Sequence, residues 1–309
     1  MIRTRGQKYF GVFNAVFMVT MACLMLYPFW YTIVYSLNNG LNSSLGGLYW
    51  WPREFTLHNY TTLFQAYNFV QAYIVTSART VIGPVASIVV TLIMAYAMTT
   101  PELMFKKFYN VLIIIPMFFG GGLIPYFLLI KNLGLYNSFW VYIIPGLFAA
   151  WDFIMMRAYM NNLPQELPES ARIDGANEFV IVFRIIFPLC VPICACLALF
   201  GAVGHWNSWF DSYIFNDRPE LYTVQLTLKS VIEGLRRLLD LIEEQGRLAG
   251  VNMSPVQRQQ MIDEVKKTGV TNEAVLAAAS IVSVGPIIFL YPFLQKYFIK
   301  GMLIGSLKG

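Results

Sequence analysis

Within ten positions of an otherwise apolar stretch the chain places Glu169, Arg172, Asp174, Gly175 and Glu178. The chemistry on offer is ion pairing, which can fix register against a docking partner. Local signals give the set a shape. Pro168 suits a first helical turn, and Glu169 near that start complements the helix dipole. Glu169 to about Asp174 then makes one or two turns. Gly175 takes a left-handed backbone cheaply and suits a sharp turn into a second short helix. Phe179, Phe183 and Ile186 would give that second helix an apolar stripe, with Arg184 near the headgroups. The expected unit is a helix–turn–helix over 161–184. Ser170, Ala171 and Ala176 at its knuckle are small enough for another protein's groove to close on the backbone.

The elements that must position this island are membrane spans. The 309 residues are 57% hydrophobic, 16% aromatic and 13% charged, with a net charge of +5 and a mean hydropathy of +0.56. Soluble domains carry roughly 25% charged residues. The modest charge points to no nucleic acid. Six apolar segments near or above the ~20 residues of a helical span run over about 10–37, 73–98, 108–130, 139–159, 185–213 and 274–297. The fold class is therefore an all-α membrane protein with six transmembrane helices, read as a single transmembrane domain over 1–309. Internal prolines, among them Pro28, Pro84, Pro116 and Pro192, predict bent helices, which membrane bundles tolerate. Gly120, Gly121 and Gly122 favour a kink or close packing over phosphate binding. Span one is too long, and lacks a small-residue cleavage site, for a signal peptide.

Basic residues set the orientation. Arg3, Arg5, Lys8, Lys106, Lys107, Arg157, Arg172, Arg184, Lys296, Lys300 and Lys308 fall on one side if the spans alternate, so both termini and the island are expected in the cytoplasm. On the outer side, 38–70 is polar and aromatic, with a short helix expected from His58. Residues 216–272 form an external helical insertion. Within it 235–244 has helical spacing with charges on one face, and Ser254-Pro255 opens a second helical stretch through Lys267. It reads equally as a flap over the outer mouth or as a docking surface.

Glu169, Ala171, Asp174, Gly175, Ala176, Phe179, Pro188 and Pro192 stand at the offsets of E-A-A-x-x-D-G-A, a Phe and x-P-x-x-x-P. In this the chain resembles the permease subunits of bacterial ABC importers, in the carbohydrate branch related to the maltose permeases. Ser170 replaces the first Ala, and Phe187 stands where Leu usually precedes the first Pro. Trp206-Asn207 and the terminal Lys300-Gly301 and Lys308-Gly309 also resemble that branch.

The resemblance implies a type I importer fold, an ATPase-coupling role for Glu169, Ala171, Arg172, Asp174, Gly175, Ala176 and Glu178, and no enzyme activity or cofactor in this chain. No G-x-x-x-x-G-K-[ST] loop is present, so hydrolysis falls to partners. Those partners are two cytoplasmic ATP-binding subunits, a second homologous permease subunit and an extracytoplasmic sugar-binding protein. The setting is the plasma membrane of a bacterium. The cargo is an oligosaccharide, with a monosaccharide or an acidic glycan as the alternative, and a channel as the reading furthest from the motif. Sugar faces stack on aromatic rings and their hydroxyls need planar polar partners. Trp206, Asn207, Trp209 and Asp211, with His205 and Tyr213 nearby, are candidates for the substrate path, since polar groups within spans face the interior or a water-filled cavity. Arg79 and Asp152 are further intramembrane charges; a polar clasp between helices is expected at Asp152. Cys23, Cys190, Cys194 and Cys196, with His58 and His205, complete no metal-ligand spacing and read as thiols packed like small apolar groups.

Overall fold

A computed structural model describes residues 5–234, 237 and 270–288. The expected stretches over 235–244 and Ser254–Lys267, the end of the sixth span and the C-terminal tail lie outside the described residues. The described chain is helical, and its one β-bridge joins Asn38 to Phe55. It falls into two compact units, 1–67 with 228–285, and 68–227 with 286–309.

In the first unit, α1 (Arg5–Ser36) is a single run, and none of its most apolar window is buried by protein. A helix apolar all round and unburied is stable only in a hydrocarbon solvent. Two short helices follow, α2 (Gly40–Ser44) and α3 (His58–Ala66); the helix expected from His58 is there. Asn38 and Asn59 organise this segment although both are fully buried. Asn38 donates to Ser43 Oγ at 2.8 Å and accepts from the Glu54 N–H at 2.7 Å. Asn59 donates to the Ser36 and Asn38 carbonyls, both at 2.9 Å.

The second unit is built on α4 (Phe69–Thr99), capped by Asn68. Then come α5 (Lys106–Phe118), α6 (Leu123–Asn132), a stretch of 3-10 turns over Phe139–Gly146, and α7 (Ala150–Met160). The short α8 (Glu166–Ile173) leads to the long α9 (Glu178–Asn207), the short α10 (Phe210–Phe215) and α11 over 224–234, which from 228 onward belongs to the first unit. The final described helix, α12 (Asn272–Ile288), lies mostly in the first unit.

Three helices, α1, α4 and α9, are long and apolar enough to cross a membrane unbroken. The third and fourth expected spans are not continuous helices. α5 and α6 bend by 118° at 119–122, and the 3-10 stretch and α7 bend by 47°. Gly122 takes a φ of +81 there, and no atom approaches any of the three glycines within 4 Å of where a Cβ would stand. Backbone freedom, rather than close packing, is what they supply. The fifth span also ends earlier than the expected 185–213: it stops at Asn207, and Ser208 is extended with a ψ of 128.

α4 and α9 pack closely because small residues sit between them. A Cβ on Gly83 would stand 2.3 Å from His205 Nε2, and one on Gly201 3.3 Å from Pro84. Such small-residue contacts let helices approach where lipid removes most of the hydrophobic drive. The main cluster joins Leu92, Ala95 and Tyr96 of α4, Phe153, Met156 and Met160 of α7, and Ile181, Ile186, Cys190, Cys194 and Leu197 of α9. All four cysteines are free; Cys190 and Cys194 pack as apolar groups, whereas Cys23 is exposed on α1 rather than buried.

Candidate functional site

The island folds into a compact knuckle. Glu166 and Glu169 lie in the first turn of α8, where acids meet the positive end of the dipole. The helix begins at Glu166, earlier than the expected start at Glu169. Its end is a Schellman motif: the Ala176 N–H bonds the Ala171 carbonyl at 2.9 Å and the Gly175 N–H bonds the Arg172 carbonyl at 3.0 Å. Gly175 takes a φ of +82, the left-handed turn expected of it. Asn177 then caps the next helix, accepting from the Val180 N–H at 2.9 Å.

That next element is not a second short helix. It is the first turn of α9, which runs on through a π-helical stretch, Ile181–Ile186, into the span. Pro188 has no N–H to give the Arg184 carbonyl, and its ring crowds that carbonyl; a wide turn just before it lifts the carbonyl clear. The wide turn also changes which face is buried. Ile181, Val182 and Ile186 are in the core, while Phe179 and Phe183 are exposed, against the expected apolar stripe of Phe179, Phe183 and Ile186.

The seven island candidates divide by direction. Glu169, Asp174 and Gly175 are exposed, and Ile173 between them is 87% exposed. Ala171 and Ala176 instead pack against the chain's own core. Arg172 and Glu178 are spent largely on each other and on α4. Arg172 Nε donates to Glu178 Oε1 at 2.9 Å. Its Nη2 donates to the Tyr96 hydroxyl at 3.1 Å, and that hydroxyl donates to Glu178 Oε2 at 2.5 Å. The hydrogen bond it donates to Glu178 holds the Arg172 guanidinium above its ordinary range, so it stays charged at any physiological pH. Sequence reasoning missed Tyr96, since nothing in local spacing marks it, and missed Ile173, whose signal is an apolar residue between Arg172 and Asp174. The knuckle presents two acids on α8, Glu166 and Glu169, one acid beside the turn, Asp174, and the bare apolar side chains Ile173 and Phe179. A partner's groove would find an apolar patch with a charged rim.

The second candidate site lies at the other end of α9, and there too the residues separate. Trp206 is 4% exposed and packs on Tyr73 with ring centroids 6.0 Å apart. Asp211 is bonded to Arg79, with Nη1 to Oδ1 at 3.2 Å. Oδ1 also accepts from Ser208 Oγ at 2.7 Å and from the Ser212 N–H at 3.0 Å. Arg79, 2% exposed, lies over the Tyr142 ring, 4.3 Å from its centroid. The Tyr142 hydroxyl donates to the Leu221 carbonyl at 2.6 Å, accepts from Asn216 at 3.0 Å and lies 2.9 Å from Ser212 Oγ. The polar clasp is therefore made by Arg79 and Asp211; Asp152 is half-buried and takes part in no ion pair among the described residues. Asn207, Trp209 and Tyr213 remain exposed, with the Trp209 and Tyr213 rings 6.0 Å apart. An amide beside an aromatic pair, at a helix break, can stack a ring and bond a hydroxyl.

Residues 77–210, which include most of α4, the knuckle and all of α9, match the family described as binding-protein-dependent transport system inner membrane component. Protein LplC of Bacillus subtilis is 31% identical over 309 residues, covering 100% of this chain and 98% of the relative. The polygalacturonan/rhamnogalacturonan transport system permease protein YtcP of the same organism is 32% identical, covering 84% of each. The crystal structure of a bacterial ABC transporter involved in the import of the acidic polysaccharide alginate contains a chain that superposes with a TM-score of 0.80 at 27% identity, covering 96% of this chain and 99% of that one. The chain belongs to the binding-protein-dependent transport system inner membrane components, the membrane-spanning permease subunits of bacterial ABC importers, in which ATP is hydrolysed by separate subunits.

Proposed function

We propose that this permease subunit has six spans with both termini cytoplasmic, docks an ATPase subunit on the α8 knuckle, and carries an oligosaccharide past Asn207 and Trp209 by alternating access. The observation that carries the docking role is the knuckle itself. Glu169, Ile173, Asp174 and Gly175 project from a helix that the chain's own core holds rigidly from behind, and an exposed patch of this kind on a membrane protein calls for a soluble partner. The bent pairs α5–α6 and the 3-10 stretch with α7 supply the third and fourth spans, and α12 begins the sixth. One knuckle serves one ATPase, so a pair of ATPases needs a second permease, in this branch a related but different chain. An extracytoplasmic sugar-binding protein delivers the cargo.

The cargo class rests on the kinds of solute named for the relatives and on the path side chains. Asn207, Trp209 and Tyr213 suit sugar hydroxyls and faces. Trp206 and Asp211 hold that surface in place from behind. Arg79 is sealed in its ion pair and offers no free charge to an acidic glycan.

The test is capture of the tagged chain from membranes in mild detergent, with mass spectrometry of its partners. The parent chain should bring down an ATPase and a second permease. Gly175→Pro cannot adopt the positive φ of the turn and should lose the ATPase while still reaching the membrane and retaining the second permease. Undiminished ATPase recovery with Gly175→Pro would refute the docking role.

A further inference from the structure

Tyr96 is the meeting point of three elements. Its ring is in the core cluster of α4, its hydroxyl takes a proton from Arg172 of α8, and it gives its own to Glu178 at the start of α9. The same helix holds a second polar fixed point. Arg79 stands 17 residues before Tyr96, about 25 Å along a helix. It grips Asp211, whose carboxylate also takes the Ser208 hydroxyl where α9 breaks. Between the two points α4 meets its neighbours mainly through apolar and small side chains, among them Gly83, Pro84, Leu92 and Ala95. Apolar contacts have no direction and permit sliding, whereas charge-assisted hydrogen bonds fix both distance and angle. A push on α8 is therefore delivered to α4 at Tyr96 and leaves it at Arg79, beside Asn207 and Trp209.

We infer that Tyr96 is a positioning residue for transport: it links the coupling helix to α4, and α4 acts as the rod that carries ATP-driven motion of the knuckle to the break after α9. The inference rests on the docking role of α8. Neither the island motif nor the span pattern marks this residue. A tyrosine at the end of a span is ordinarily an interfacial anchor, but this one is 7% exposed and has its hydroxyl turned to the knuckle.

The experiment uses the assembled importer in lipid nanodiscs with Mg-ATP and vanadate as the probe. Tyr213→Cys, exposed beyond the break, reports through its rate of labelling by a membrane-impermeant thiol reagent. With Tyr96 present, vanadate trapping should change that rate about fivefold or more, the range of ordinary coupling between sites. Tyr96→Phe keeps the buried ring and removes the hydroxyl. It should retain the ATPase, the melting temperature and basal hydrolysis, and reduce the labelling change to less than about twofold. Glu178→Gln should act in the same direction, and the double variant should be no worse than Glu178→Gln alone, as for residues in one network. A full labelling change in Tyr96→Phe overturns the inference, as does a strictly additive double variant. Loss of the ATPase from Tyr96→Phe would also overturn it, because Tyr96 would then shape the dock rather than transmit from it. Failure of the docking role shows separately, as ATPase retained by Gly175→Pro.

Discussion

At the scale of single residues, Arg79 and Asp211 form the most deeply buried ion pair among the described residues. A guanidinium 2% exposed cannot be left without its carboxylate. Removing one partner of a buried pair costs on the order of 3 kcal/mol, whereas replacing both with apolar groups of similar volume can be neutral. Asp211→Ala should therefore lower the melting temperature in detergent by several degrees, and Arg79→Met with Asp211→Leu should recover most of it. A double variant as unstable as the single one would mean that the Tyr142 and Ser208 contacts, rather than the ion pair, hold the region. Both charges were visible in the sequence as intramembrane ionisable groups, but their partnership was not. They are 132 residues apart, and no local pattern reports a contact at that separation. The same holds for Tyr96 with Glu178, 82 residues apart. Gly175 was legible because its requirement is local: a short helix that must end on a left-handed residue.

At the scale of elements, the sequence was informative about which segments are apolar and less so about where helices stop. Hydropathy runs straight through 108–130 and 185–213, yet the backbone breaks at the triple glycine and at Ser208. A glycine run lowers the cost of a break without saying how large it will be. The break at Ser208 comes from its hydroxyl and Asp211 closing a local turn, which an apolar count does not register. That break sorts the aromatic residues. Trp206, on the last turn of α9, faces Tyr73, whereas Trp209, just beyond, faces out. Trp206→Ala leaves a cavity, and burying less of so large a ring costs roughly 3 kcal/mol or more, so it should lower melting temperature and the amount of assembled complex. Trp209→Ala should leave both unchanged and reduce glycan uptake in cells. Equal uptake by Trp209→Ala and the parent, across neutral and acidic oligosaccharides, would remove Trp209 from the path and leave it as packing beside Phe210.

At the scale of the whole molecule, function depends on which side of the membrane the knuckle occupies, because ATPase subunits are found only in the cytoplasm. The basic residues argue for that side. Lys106 and Lys107 open α5, Arg157 and Arg172 lie in the last turns of α7 and α8, and Arg184 lies in the π-helical stretch that opens α9, all next to one end of the spans. Arg157 donates to Asn110 of α5, which gathers several of these charges at one level. Short loops rich in Lys and Arg stay inside, while long loops cross largely regardless of charge. The long connection after α10 can therefore be external even with its many charged residues. An epitope at either terminus should stay silent to antibody on intact spheroplasts and report after permeabilisation, and one placed after Ser254 should report on intact spheroplasts. Termini detected without permeabilisation would put Glu169 and Asp174 outside, where no ATP-driven partner can reach them. An epitope after Ser254 that stayed silent, with the N-terminus internal and the C-terminus detected on intact spheroplasts, would mean an even number of crossings before it. The bent pair α5–α6 would then be a re-entrant loop rather than a span, its 118° turn returning the chain to the side it left.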